Sequence, residues 1–341
     1  MVGSVWSLAF SRDGLRLASG SRDAPVKIWT VKEEEVRDSV TDLYSREWGN
    51  FTFSPDSKLI AAGCKDQTVR VWAVETLEEK ASLPGATFAV VFSRDGKSLL
   101  VSSLNETPAW WDLETKTKKP LPSYSGRMQG RVPCVDLSPD RRTAALGFDN
   151  GDIQLLEIDS GRVAADFHAH DGGVGSVAFS PSGDRLVSGG RDKSVAVWDT
   201  RTQSKLCSSP EHRGSVCAVA VSRDGTRLAS GCNANTIKLW NPDDMTKSLA
   251  SMSYHKSVVR TLAFAPTGET LASGSEDNTV KLWSVASHLE VGSFKLDDHV
   301  RLVGFSPDGN HLAAVTDKGT LRLFRAVSLQ QADLEAAVLA P

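Results

Sequence analysis

Cysteine is sparse and unpatterned: five residues among 341 (Cys64, Cys134, Cys207, Cys217 and Cys232), an odd number with no C-x-x-C pair. That usage excludes a disulfide framework and a thiolate zinc site, and fits reduced thiols in a cytoplasmic protein. A basic excess is missing too. Lys+Arg number 39 against 42 Asp+Glu, a formal charge of −3, so phosphate neutralisation cannot drive nucleic-acid binding. No run of eighteen apolar residues exists to span a membrane. The opening MVGSVWSLAFS lacks the charged region and long apolar run of a signal peptide. The histidines never adopt H-x-x-x-H spacing, and neither a P-loop nor a helix-opening G-x-G-x-x-G is found. The composition, 40% hydrophobic and 24% charged, is that of a folded globular protein, not a disordered one.

What is present is a repeat. VGSVAFSPSGDRLVSGGRDKSVAVWD (174–199) and VVRTLAFAPTGETLASGSEDNTVKLWS (258–284) carry apolar and small residues at the same offsets. The closing large residue recurs at Trp29, Trp72, Trp111, Leu156, Trp198, Trp240, Trp283 and Phe324, with gaps of 39 to 45 residues. Within a unit, Val177 and Phe179 alternate with Ser176 and Ala178, as a half-buried strand requires. A turn follows, as at Asp95-Gly96, Asp224-Gly225 and Asp308-Gly309, where glycine supplies positive φ. A second strand ends in small residues, a third ends at the Trp place, and a fourth is weaker. Four such strands form a sheet that cannot bury both faces alone; sheets stacked in a ring can. The pattern therefore predicts an all-β propeller of eight four-stranded antiparallel blades. The alternative is a seven-bladed ring with one divergent unit outside it.

A second signature lies inside the repeat: His, then Ser four residues before Asp, then Trp six residues after it. His170, Ser188, Asp192 and Trp198 fit it, as do His255, Ser273, Asp277 and Trp283. In these residues and over nearly the whole chain, the sequence resembles the WD-repeat (Trp-Asp repeat) β-propeller family. The turns and the ending resemble propeller regions of bacterial multidomain regulatory proteins, some of them kinase-linked. The resemblance implies that each His–Ser–Asp–Trp set is a structural hydrogen-bond chain. A hydrolase triad is the competing reading of His170, Ser188 and Asp192, but the set recurs, whereas an enzyme needs one site. Other units depart. Ala62 stands at the Ser place of unit two, Asn105 and Asn150 at the Asp place of units three and four, Ala234 at that of unit six, and Lys318 at that of unit eight. His168 and His170 are read as a surface pair, and Cys64 and Cys232 as small buried thiols. The sequons at Asn50 and Asn105 carry no expected role.

The resemblance also implies a binding rim on the top face, formed by the start of each first strand and the turn between strands two and three. Carried onto this chain, it gathers the aromatics Trp6, Trp48 and Phe88 with the cations Arg22, Lys65, Arg131, Arg191, Arg260 and Arg301. Aromatic and arginine side chains are common interface anchors, so the expected ligand is a peptide or protein segment, acidic in character. The expected function is a non-catalytic protein-interaction scaffold without cofactor or metal. The alternatives are a regulatory fragment of a larger bacterial protein and an enzyme with a channel site. Residues 1–327 are expected to form one propeller and 328–341 a tail with a short helix. The last blade is expected to stay three-stranded or to be completed by residues 332–339. A monomer is expected, with a homodimer through an open strand edge as the alternative.

Overall fold

The computed structural model describes residues 51–64, 66–84, 89–102, 109–120, 134–158 and 160–328, together with strands at 5–10, 16–21, 27–30 and 39–40. Every described regular element is a β-strand. Six sheets are four-stranded antiparallel units consecutive in sequence: blades I (51–84), II (89–120), III (134–168), IV (174–209), V (216–252) and VI (259–295). First strands of successive blades lie against one another, for example Val216–Val221 against Val259–Phe264, which places them nearest the axis.

Blade VII is assembled differently. Strands Val300–Phe305, His311–Thr316 and Leu321–Ser328 supply three members. The fourth is Ser39–Val40, which pairs with Arg322 and Leu321. The ring is closed by apolar packing between blades VII and I: Ala313, Val315 and Leu321 meet Phe53, Ile60, Trp72 and Val74. Six further clusters fill the other six blade interfaces. The ring thus has seven blades, and the expectation of eight is corrected in favour of the alternative. The physical reason is that unit eight packs directly on unit two. Unit one contributes strands Val5–Phe10, Arg16–Ser21 and Lys27–Thr30, which join the far half of the last strand through Lys27–Trp29 against Ala326–Ser328. The last blade is neither three-stranded nor completed by residues 332–339, because Ser39–Val40 takes its outer edge. The helix expected in the tail lies outside the described residues.

The repeat chemistry explains the uniformity of the blades. The turn between strands one and two has positive φ at Gly96, Gly183, Gly225, Gly268 and Gly309, while Ser57 and Arg141 adopt the same conformation in blades I and III. A Ser–Asp pair braces this turn, as when Ser54 Oγ donates to Asp56 at 2.6 Å while the Leu59 amide donates to Ser54 Oγ at 2.9 Å. Between blades, a glycine late in strand two admits the first valine of the next blade. A methyl group on Gly231 would lie 2.6 Å from Val259 Cγ1, and one on Gly274 would lie 2.5 Å from Val300 Cγ1. Close approach there requires the missing side chain.

Candidate functional site

Polar residues buried inside the blades come first. In blade IV, Trp198 Nε1 donates to Ser188 Oγ at 2.8 Å, and Ser188 lies 2.7 Å from His170 Nε2. Indole is a donor only, so the serine hydroxyl proton goes to Nε2 and the imidazole proton sits on Nδ1. Nδ1 then donates to Asp192 at 3.0 Å. Blade VI repeats the chain: Trp283 to Ser273 at 2.7 Å, Ser273 to His255 at 2.7 Å, His255 to Asp277 at 2.8 Å. Both serines are fully buried, and each hydroxyl is committed on its donor and acceptor sides. Burial opposes charge on Asp277, but hydrogen bonds from His255, Thr279 and the Lys256 amide outweigh it and hold the carboxyl well below the usual carboxylate range. Burial pulls the His170 imidazole below its ordinary value.

Blade V keeps Trp240 Nε1 donating to Ser230 at 2.7 Å and Ser230 donating to His212 Nε2 at 2.6 Å. Ala234 replaces the aspartate, and the buried His212 Nδ1 has no partner. Desolvation, with Lys238 nearby, pulls the His212 pKa down to about 4. Blade I keeps the aspartate without the histidine, and Asp66 turns to the Thr68 amide at 3.1 Å and to Arg70. The supposed surface pair is split. His170 is buried, while His168 is exposed with its Nδ1 at 2.8 Å from Asp152. Cys64 and Cys232 are buried, as the sequence suggests, and burial pushes the Cys64 thiol up to about 11. Among the described residues, no cluster of three or more His, Cys, Asp or Glu could hold a metal ion.

The rim is built from β-bulges. The pairing of strands one and two skips one residue at Trp6, Gly175, Cys217, Arg260 and Arg301. A bulge re-aims its side chain, and in blades IV to VII it does so at the start of the strand nearest the axis, whereas Trp6 holds the matching register on unit one, outside the ring. In blade VI the bulged Arg260 reaches Glu276 on the neighbouring turn, Nε to Oε1 at 2.7 Å. In blade VII the bulged Arg301 pairs with Asp317, whose other oxygen is 3.4 Å from His299 Nδ1. Two of the arginines gathered from sequence are therefore held by acids of their own blade. Arg191 differs: it is exposed on the turn, and the bulge position across from it is Gly175. Trp6 keeps its place on a described strand, but its side chain and Arg22, Trp48, Lys65, Phe88 and Arg131 lie outside the described residues.

Sequence reading missed Asp136. It occupies a place filled by Ala178, Ala220 and Ala263 in later blades, a departure visible when the repeats are aligned. Its carboxylate accepts from the Phe179 amide of blade IV at 2.8 Å and from the Leu137 amide at 2.9 Å. Burial raises its pKa to about 6, against the pull of those amides and of Arg141. Arg141, on the positive-φ turn, donates to the Phe92 carbonyl of blade II.

Comparison with known proteins settles the family. The sequence profile described as WD domain, G-beta repeat matches residues 2–30, 37–73, 161–199, 203–241, 246–284 and 291–325, more than half of the chain. The chain belongs to this WD-repeat family. The stretch without a match, 74–160, contains the units whose Asp place holds Asn105 and Asn150. Similar proteins include Centriole proteome protein 16 of Chlamydomonas reinhardtii, 39% identical over 62 residues, covering 18% of this chain and 3% of that protein. Meiotic recombination protein rec14 of Schizosaccharomyces pombe is 28% identical over 123 residues, covering 36% of this chain and 40% of that protein. Protein groucho of Drosophila melanogaster is 27% identical over 115 residues, covering 33% of this chain and 15% of that protein. This WD-repeat chain thus spans well under two thirds of those relatives, and all three are eukaryotic.

Proposed function

We propose that this WD-repeat propeller is a non-catalytic scaffold that captures a peptide or protein segment on the bulged rim of its top face. The observation that carries the reading is the repeated bulge. In blades IV to VII one residue is turned out of the strand ladder beside the axis, at Gly175, Cys217, Arg260 and Arg301. The buried serine–histidine chains argue against hydrolysis, because a substrate cannot reach a serine oxygen that is enclosed and doubly committed. Among the described rim cations, Arg191 is exposed to an acidic segment, whereas Arg260 and Arg301 would first have to leave Glu276 and Asp317. A cytoplasmic location and a monomeric state belong to the same proposal.

The test is affinity capture with the intact chain followed by mass spectrometry, repeated with Arg191→Glu. A partner retained by the wild type and lost by a variant of unchanged melting behaviour supports the rim. Undiminished capture by the variant overturns it. A second reading, a regulatory portion of a larger protein, is favoured by the small share of each relative that the chain covers. Its bacterial, kinase-linked form rests on the sequence resemblance alone.

A further inference from the structure

Blade V is one acceptor short, and the shape of the deficit is readable from blade VI. There the two oxygens of Asp277 divide four donors. Oδ2 takes the His255 Nδ1–H at 2.8 Å and the Lys256 amide at 2.9 Å, while Oδ1 takes the Thr279 amide at 3.0 Å and its hydroxyl at 2.5 Å. Blade V has the counterparts of all these donors in His212, Arg213 and Thr236, but Ala234 brings no carboxylate to them. The Thr236 hydroxyl has turned to the Ala234 carbonyl at 3.0 Å. His212 is 4% exposed, its Nε2 is taken by Ser230, and the proton on Nδ1 points at nothing. A buried donor without an acceptor is costly, so an acceptor arriving from outside would be bound.

The surroundings favour an anion. Glu211, the nearest acid, is neutralised by Lys238 at 2.6 Å. Ala234 is partly exposed, which puts the gap next to the surface, and the Asn233 side chain lies over Gly214 beside it. Two separate pairs of donors call for two linked oxygens, which a carboxylate has and a halide lacks.

We propose that blade V carries a binding site for a small carboxylate, of formate or acetate size, which takes the place of the absent aspartate. One of its oxygens accepts from His212 Nδ1 and the Arg213 amide, and the other accepts from Thr236. This site does not depend on the rim reading above, and either can fail alone.

The experiment is thermal unfolding of the full chain in sodium formate and in sodium chloride at matched ionic strength and neutral pH. Formate is expected to raise the Tm saturably, beyond any effect of chloride, as a ligand of the native state must. Ala234→Asp, which supplies its own carboxylate, is expected to melt higher and to lose the formate-specific increment. His212→Gln is expected to lose that increment as well, and it serves if Ala234→Asp folds poorly. Conversely, Asp277→Gly opens the same gap in blade VI and is expected to gain a formate response. A wild type indifferent to formate, or an equal formate effect in Ala234→Asp, would overturn the site.

Discussion

Blades V and VI are built from nearly the same sentence of residues, yet one of them is missing its last word. His212, Ser230 and Trp240 superimpose in role on His255, Ser273 and Trp283, with matching contacts near 2.7 Å. The difference is a single carboxylate, present at Asp277 and absent at Ala234. Blade V still forms all four strands and a filled core. Apolar packing and strand pairing make the blade, while the polar chain adjusts its stability and its response to pH.

The largest expected effect is on acidification. His212 is neutral in the fold, with a pKa of about 4, whereas in the unfolded chain it titrates near its ordinary 6.5. Between those values the unfolded state binds the extra proton, so stability is lost as pH falls from 6.5 to 4, by roughly 3 kcal/mol from this group alone. Lys238 and Glu211 are the charges that face it. Ala234→Asp should relieve most of that loss, read from urea midpoints at pH 7 and pH 4.5. Identical slopes in the two proteins would remove His212 as the cause.

Next in size, Asp277→Ala recreates the blade V deficit and should cost about 1–3 kcal/mol at neutral pH, as for any buried donor stripped of its acceptor. The gap between wild type and variant should widen as pH falls from about 6.5 towards 4, because the bared histidine then behaves as His212 does. The Asp277 carboxyl sits below its unfolded value, so its own contribution is complete above about pH 4 and fades only below it, where the gap should narrow. A gap that keeps widening below about pH 4 would contradict the assignment. Gly274→Ala presses a methyl against Val300 and is expected to cost about 1–3 kcal/mol by overpacking, with Gly231→Ala costing as much against Val259. A large inequality between these two would show that blade V yields more easily than blade VI. The smallest effect is a gain: Ala234→Asp at pH 7 should add about 1 kcal/mol by chemical denaturation.

Much of this was legible beforehand. The His-to-Trp spacing of 28 residues located both complete chains and exposed Ala234 as a departure. The rim positions were legible as offsets, though the bulge that turns them outward is a property of strand pairing. The number of blades was not legible, because the period counts repeats, while ring size depends on which repeats touch. That choice is made by Leu321 pairing with Val40 and by Phe53 packing near Leu321, contacts between residues remote in sequence. The pairing of Arg260 with Glu276 was hidden for a similar reason: the two lie 16 residues apart, and a skipped residue in the ladder brings them together.

Beside its pairing with His311–Thr316, the strand Leu321–Ser328 has two further partners, Ser39–Val40 along its first part and Lys27–Trp29 along its last. Its registration cannot occur until both ends of the chain have been made. Blades I to VI are each local and can condense as they emerge, but the seam must wait for a loop of some 280 residues to close. Folding should therefore show an early phase insensitive to the N-terminal segment and a late, slow phase set by it, with the last-made joint also the first to open.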